Sequence, residues 1–431
     1  MTIDWAAEAV IYEVNIRQYT PEGTFNAFAK HLPRLKDMGV SLIWLMPITP
    51  ISQEGKKGSL GSYYACSSYT KINPEFGNEN DFKLLVDQAH GLGMKIIIDW
   101  VANHTGRHHE WMVAHPEWFS QDANGAFTER NGWDDVVDLN FANEAMRASL
   151  IGAMHYWVKT FNIDGFRCDM AHLVPLDFWM AARKSFHEIK KLYWLAECEV
   201  VDYHEVFDTT YAWHWMHVSE KMMHGEAGIH DIYNVLHQYA QYPSGALKLF
   251  YTSNHDENSW NGTEYEKYGK SAKAWAVFAF TWKGMPLIYS GQELPLQKRL
   301  AFFDKDIIEW GETIGKDKQE TKSQVAIDYP ALHHFYKTLT DLRKAHSVII
   351  KGETFNLPLD HSGAMAYLRM DENDIVLVIL NFSNDIVKLQ CSHERLQGNF
   401  TQVFSGMTYA FNHTVSFELL PGDYFVYVKT V

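Results

Sequence analysis

Eight short apolar runs, each followed by polar or glycine residues and then by a helix-like stretch, recur along the first two thirds of the chain. They cover residues 9–16, 40–46, 94–99, 163–169, 192–197, 206–212, 248–255 and 285–290. Stretches with helical spacing, such as NDFKLLVDQAHGLGM, lie between them. Strands that alternate with helices form parallel sheets, and eight such units predict an α/β chain folded as a closed (β/α)8 TIM barrel.

Two segments depart from this alternation. Between the third and fourth runs the chain carries about 40 residues more than one βα unit of ~30 residues needs. This excess, about 104–150, is rich in His and Trp, and we expect a loop subdomain, since long loops in compact folds are usually functional. From residue 346 onwards, alternating β-branched segments predict a small antiparallel β domain. The predicted domains are a catalytic barrel, 1–345, and a C-terminal all-β domain, 346–431.

Composition limits the classes of partner and the cellular location that we expect. The chain has 431 residues, a formal net charge of −15 and no basic stripe, which disfavours nucleic acid and anionic membranes. Its four cysteines are scattered without a framework spacing, so we expect reduced thiols. The N-terminal residues MTIDWAAEAV lack the features of a secretory leader, and no apolar run reaches ~18 residues. We therefore expect a cytoplasmic protein, or an extracytoplasmic one if a leader has been removed.

Polar residues end strand after strand. Because barrel active sites form at the carboxyl ends of the strands, these side chains should converge on one cleft. They are Asp99, Asn103, His104, Arg167, Asp169, Glu197, His255 and Asp256. Four carboxylates with an arginine and two histidines indicate a functional cluster rather than surface charge.

Two of these carboxylates suit glycoside hydrolysis with retention of configuration, which needs a nucleophile and an acid that later acts as a base. Asp169 fits the nucleophile, because a neighbouring Arg167 would keep it ionised. Glu197 fits the acid, since the apolar residues before it in WLAEC would raise its pKa. Asp256 would hold sugar hydroxyls as the transition state forms.

The motifs that carry these residues resemble a known family. DWVANHTG, GFRCDMAHL, WLAECE and TSNHDE resemble the four motif regions of the α-amylase family, glycoside hydrolase family thirteen. INPEFG and GMPLIYSGQE resemble its two supplementary motifs, and the resemblance runs from about residue 9 to 310 in the family's order. It implies cleavage of α-glucosidic bonds, most of all α-1,4 bonds, in starch-derived glucans or maltooligosaccharides by double displacement.

Carried over by position, the resemblance implies roles for individual residues. Asp169 matches the nucleophile, Glu197 the general acid/base and Asp256 the carboxylate that stabilises the transition state. The substrate-binding positions are Tyr64, which would stack on the sugar, His104 and His255, which would bind its hydroxyls, and Arg167 beside the nucleophile. Asn103 matches a position that often binds calcium, so calcium is a possible cofactor; no organic cofactor is implied.

Several residues depart from the family's pattern. Ser68 stands where many members have Asp. His172 and Leu173 replace a common Lys-His pair, and this replacement predicts a preference for maltodextrins over long starch chains. Glu199 follows Glu197 closely enough to be mistaken for the acid. The same residues also suit an α-glucan transglycosylase, and a non-catalytic carbohydrate-binding relative would be expected to lack one of the three carboxylates. Oligomeric state is left open.

Overall fold

The structure is a computed structural model that describes residues 3, 5–310 and 330–430. Its β-strands are, in chain order, β1 (Ile11–Val14), β2 (Leu42–Leu45), β3 (Lys95–Trp100), β4 (His104–Gly106), β5 (Val136–Asp138), β6 (Gly165–Cys168), β7 (Tyr193–Ala196), β8 (Thr209–Tyr211), β9 (Leu247–Phe250), β10 (Met285–Tyr289), β11 (Glu353–Leu357), β12 (Ala364–Met370), β13 (Asp374–Asn381), β14 (Val387–Ser392), β15 (Gly398–Gln402), β16 (Thr408–Phe411), β17 (Thr414–Leu419) and β18 (Tyr424–Thr430).

Eight parallel strands close into a barrel in the order β1-β10-β9-β8-β7-β6-β3-β2. Each of the eight apolar runs coincides with one of these strands, which extends at most one residue beyond its run, so the predicted barrel is confirmed. The strands are buried along nearly their whole length, as expected when helices cover the outside of a parallel barrel.

The helices lie mainly between barrel strands. They are α1 (Ile16–Tyr19), α2 (Phe25–Ala29), α3 (Leu32–Asp37), α4 (Glu79–Gly91), α5 (Glu110–Ala114), α6 (Glu144–Phe161), α7 (Leu176–Ser185), α8 (Trp213–Met223), α9 (Ile229–Ala240), α10 (Glu264–Tyr268), α11 (Ala272–Thr281), α12 (His333–Ala345) and α13 (Val348–Lys351). Local signals explain several ends: Asn78 and Asp81 form a capping box at the start of α4.

The loop subdomain after β3 is built around the antiparallel pair β4 and β5. Asn143 caps α6 by accepting hydrogen bonds from the backbone N–H groups of Ala145 and Met146. Helix α6 therefore begins at Glu144, and the last part of the segment predicted as a loop, about 104–150, is helical.

The C-terminal strands are antiparallel, as predicted. Six form a sheet in the order β11-β12-β13-β18-β15-β16, and β14 pairs with β17. One face of the sheet joins the barrel core, where Phe382 stacks on Trp275 with ring centroids 3.7 Å apart and Tyr367 meets Thr281 at 2.6 Å. The other face packs on the β14–β17 pair, which explains why β12 and β13 are buried on both faces.

All four cysteine thiols are unpaired and buried, in agreement with the prediction of reduced thiols. Cys168 and Cys198, which flank the predicted catalytic residues in sequence, belong to the core. No helix in residues 5–310 or 330–430 is long and apolar enough to cross a bilayer.

Candidate active site

The guanidinium of Arg167 lies at the centre of the site, fully buried at the end of β6. Its Nη1 donates to both carboxylate oxygens of Asp99, at 2.9 and 3.1 Å, and to Oδ1 of Asp169 at 3.0 Å. Its Nη2 lies 2.7 Å from Oε2 of Glu197. One cation therefore contacts three carboxyl groups at the ends of three adjacent strands, and the contact expected between Arg167 and Asp169 is present.

Local backbone geometry brings these strand ends together. Gly165 begins β6 where a Cβ atom would lie 1.9 Å from the carbonyl oxygen of Tyr193 on β7, so only glycine permits this approach. After Asp169 the chain turns at Met170, a non-glycine residue with φ of 38°. This turn lets the Met170 N–H donate to Oε2 of Glu197 at 2.8 Å. Strained backbone of this kind is concentrated at functional sites.

The two predicted reacting carboxylates differ in proton affinity. Burial raises the pKa of Glu197 to about 8, against the opposing charge of Arg167. Burial also raises the pKa of Asp169, but only to about 6, because Arg167 again opposes it. At neutral pH the first proton therefore resides on Glu197 while Asp169 is ionised, the division of roles that an acid and a nucleophile require.

A second charged cluster surrounds His255. Its Nδ1 lies 2.5 Å from Oε1 of Glu13, while its Nε2 lies 2.8 Å from the Tyr64 hydroxyl and 3.2 Å from Oδ2 of Asp256. Burial would lower the pKa of His255, but the charges of Asp256 and Glu13 raise it well above its usual value. Burial would likewise raise the pKa of Asp256, yet His255 lowers it overall. His255 and Asp256 are thus a charged pair.

Two further residues, Glu13 and Trp44, belong to the site but were not predicted as site residues from the sequence. Glu13 is the only charged residue within the apolar run of β1 and is completely buried, a signal that it has a polar partner. Trp44 on β2 donates from Nε1 to Oδ2 of Asp99 at 3.1 Å, and the Arg167 guanidinium lies 4.9 Å from its ring centroid. Nothing in the apolar run of β2 distinguishes Trp44 from core tryptophans.

A cavity of about 210 Å³ opens above these groups. Its walls include six of the predicted site residues: Tyr64, His104, Asp169, Glu197, His255 and Asp256. Arg167 lies beneath the cavity. Of the loop tryptophans, Trp133 lines the cavity, whereas Trp118 packs against His115 with a centroid distance of 3.9 Å. His104 contacts Trp133 edge to face, and burial lowers the pKa of His104 to about 4, so the ring is neutral.

Asn103 lies outside this cavity, and its surroundings do not fit a calcium ion. Its carboxamide oxygen accepts from Nη2 of Arg130 at 3.1 Å, and its Nδ2 donates to Asp138 at 3.3 Å. The other Asp138 oxygen accepts from Nε of Arg130 at 2.8 Å. Calcium needs several free oxygen ligands, and here a guanidinium already occupies the two that Asn103 and Asp138 present.

Glu199 points away from the catalytic cluster. Its Oε2 accepts from the backbone N–H of His214 at the start of α8, at 2.9 Å. Its Oε1 accepts from the Tyr239 hydroxyl and lies 3.5 Å from Nζ of Lys248, which is buried. The choice of Glu197 as the acid is therefore consistent with the geometry, and Glu199 ties α8, α9 and β9 together.

Comparison with known proteins identifies the family. The family model described as "Alpha amylase, catalytic domain" matches residues 11–117 and 113–325, well over half of the chain. The chain belongs to the alpha-amylase family. A crystal structure of a noncanonic maltogenic alpha-amylase from Thermotoga neapolitana superposes on this alpha-amylase family chain with a TM-score of 0.88 and 30% identity, covering 99% of both chains. An alpha-amylase from Lactobacillus plantarum gives a TM-score of 0.86 and 27% identity, covering 98% of this chain and 99% of the other.

Curated relatives are longer. The alpha-amylase MalA of Haloarcula japonica is 27% identical over 88% of this chain, but the match covers 56% of that protein. A cyclomaltodextrinase from a Bacillus species is 25% identical over 90% of this chain and 75% of its own length. This alpha-amylase family member therefore spans little more than half of the first of these relatives.

Proposed function

We propose that this protein is a retaining α-glucoside hydrolase that cleaves α-1,4 bonds in starch-derived glucans or maltooligosaccharides. The observation that carries the proposal is the contact of one buried guanidinium with two carboxylates of unequal proton affinity, Asp169 and Glu197, at the floor of a cavity. Membership of a family of retaining glycosidases supports the reaction class, and relatives named alpha-amylase and cyclomaltodextrinase support the substrate class.

In the first step Asp169 attacks the anomeric carbon while Glu197 gives its proton to the departing glycosidic oxygen. Arg167 keeps Asp169 anionic, and as Asp169 becomes an ester its charge is lost from the cluster. In the second step Glu197, now a carboxylate, removes a proton from water, which attacks the same carbon and releases Asp169. Two displacements at one carbon return the product to its original configuration.

The remaining groups hold the sugar. The Tyr64 ring lies on the floor of the cavity, stacked at 5.5 Å on His255 and at 6.2 Å on Phe302, and offers a flat apolar face to a sugar ring. Asp256 and the cationic His255 beside it supply an acceptor and a donor for vicinal hydroxyls. The neutral His104 adds another polar contact on the opposite side.

The test is proton NMR of the first products from maltoheptaose. We expect the α-anomer to appear before mutarotation. Asp169→Asn should lower kcat by on the order of 10⁴-fold or more, because the nucleophile is lost. Asp177→Asn, a change at an exposed aspartate paired with Arg147 on the outside of the barrel, is the matched control and should retain activity. Early β-anomer, or an active Asp169→Asn variant, would contradict the mechanism.

A further inference from the structure

The cavity has a wall on the side away from Glu197. Four of its lining residues form this feature, the donor wall: Lys57, Asp135, Phe302 and Phe303. Lys57 follows β2, and the two phenylalanines follow β10. In the closed barrel β2 and β10 are the two neighbours of β1, and β1 is diametrically opposite β7, the strand that carries Glu197. The wall and the acid therefore face each other across the barrel mouth.

An ion-pair cluster ties the loop after β2 to the loop subdomain. Nζ of Lys57 lies 2.7 Å from Oδ1 of Asp134 and 3.2 Å from Oδ1 of Asp135, whose side chain is only 6% exposed. Nε of Arg107 donates to the backbone carbonyl of Asp134 at 2.6 Å. These contacts hold the loop after β2 against the segment of the loop subdomain that precedes β5.

The loop after β2 is tied equally to the loop after β10. The backbone N–H and the hydroxyl of Ser59 both donate to Oδ1 of Asp304, at 2.8 and 2.5 Å, and the Leu60 N–H donates to the Phe303 carbonyl at 3.0 Å. Gly58 has a φ of 61°, and a Cβ there would lie 2.5 Å from Cβ of Phe303, so the two loops are packed without a gap at this point. Three loops are thus joined into one wall.

The chemistry fixes which part of a glucan meets this wall. The acid has to lie beside the glycosidic oxygen, so the leaving-group part of the chain extends on the Glu197 side. The part retained on Asp169 extends in the opposite direction, towards the wall. The cavity of about 210 Å³ is below the ~300–1,000 Å³ of sites that take drug-sized ligands, so only a short part of a glucan fits inside it.

We propose that the donor wall makes this protein an exo-acting enzyme that removes one or two glucosyl units from non-reducing ends. The inference rests on the proposed function and specifies which bonds of the glucan are accessible. An internal bond cannot reach Asp169 and Glu197, because the chain beyond the donor sugar would have to pass through Lys57, Asp135 and Phe303.

The experiment compares two nitrophenyl maltooligosides of equal length, one free and one carrying an ethylidene group on its non-reducing glucose. We expect the free substrate to be hydrolysed at least ~100-fold faster, since even one extra methylene in a filled pocket changes specificity by 10–200-fold. Comparable rates on both substrates would overturn the inference. Failure to hydrolyse either one would instead refute the proposed function, and the inference with it.

A variant tests the wall itself. Lys57→Met removes both ion pairs while keeping an apolar stem, and should narrow the ratio of free to blocked rates by about tenfold or more. Lys56→Met is the matched control, because Lys56 is exposed and its Nζ donates to Oε1 of Gln53 rather than to a residue of the wall. The ratio for this variant should equal that of the wild type. An unchanged ratio in Lys57→Met would overturn the assignment of the wall to this cluster.

Discussion

Replacement of Glu197 by Gln should abolish activity and at the same time stabilise the protein. The loss of activity follows from removal of the acid, since general acid–base catalysis contributes ~10²–10⁴-fold. The stabilisation follows from burial: the residue is only 4% exposed, and burial raises the pKa of its carboxyl from 4.5 to about 8. A glutamine has the same shape and carries no proton to lose.

The sign of the stability change can be worked out from this shift. As the pH rises above 4.5 the unfolded chain releases the Glu197 proton, while the folded protein keeps it up to a pH of about 8. Ionisation in the unfolded state therefore destabilises the fold progressively over this window, by about 3 kcal/mol at pH 7. Glutamine removes this contribution. For 431 residues an unfolding entropy of ~2.1 cal/mol/K per residue converts 3 kcal/mol into a Tm increase of ~3 °C.

Glu199→Gln provides a matched comparison two residues away. It weakens the contacts with Tyr239 and the buried Lys248, and hydrogen bonds to charged groups contribute ~1.5–3 kcal/mol. We expect this variant to lose stability and to keep most of its kcat/KM. The same chemical change thus has opposite effects at the two positions.

The assay is differential scanning calorimetry at pH 7 and pH 4.5, together with kcat/KM on a nitrophenyl maltooligoside. The stabilisation of Glu197→Gln should nearly disappear at pH 4.5, where the folded protein keeps the proton and only half of the unfolded chains have lost it. If Glu197→Gln has a lower Tm than the wild type at pH 7, the raised pKa is wrong. If Glu199→Gln loses as much activity as Glu197→Gln, the choice of the acid is wrong.

Three other predictions concern pH, metal and positioning. The pH profile of kcat/KM should be bell-shaped, falling below about pH 6 as Asp169 becomes protonated and above about pH 8 as Glu197 loses its proton; a flat profile across this range would contradict it. EDTA should leave the Tm, measured by scanning fluorimetry, unchanged, because the guanidinium of Arg130 already binds the oxygens of Asn103 and Asp138. For the same reason Arg130→Met should lower the Tm. A wild-type Tm that depends on calcium would refute this. Glu13→Gln should lower the pKa of His255, seen by NMR titration of the imidazole, and reduce kcat/KM about tenfold; an unshifted titration would show that Glu13 does not hold the ring charged.

Much of the architecture could be predicted from the sequence because local patterns carry it. The short apolar runs and the polar or glycine residues that follow them mark each barrel strand. Because these strands end in polar residues, Asp169, Glu197 and Asp256 are expected on the same rim of a parallel barrel. The C-terminal β domain was likewise visible from alternation alone. These features depend on residues close together in the chain, so no knowledge of distant neighbours was needed.

Only the tertiary structure decided how the charges are shared. The sequence predicts that Arg167 lies beside Asp169, but it does not predict that Arg167 also contacts Asp99 and Glu197. Nor does it predict the contact between Glu13 on the first strand and His255. Similarly, Asn103 matches a position that often binds calcium in the family, and only the fold shows that Arg130 donates to its carboxamide oxygen. Such contacts join strands and loops that are far apart in sequence, and an electrostatic interaction depends on distance and burial in three dimensions, which local composition does not encode.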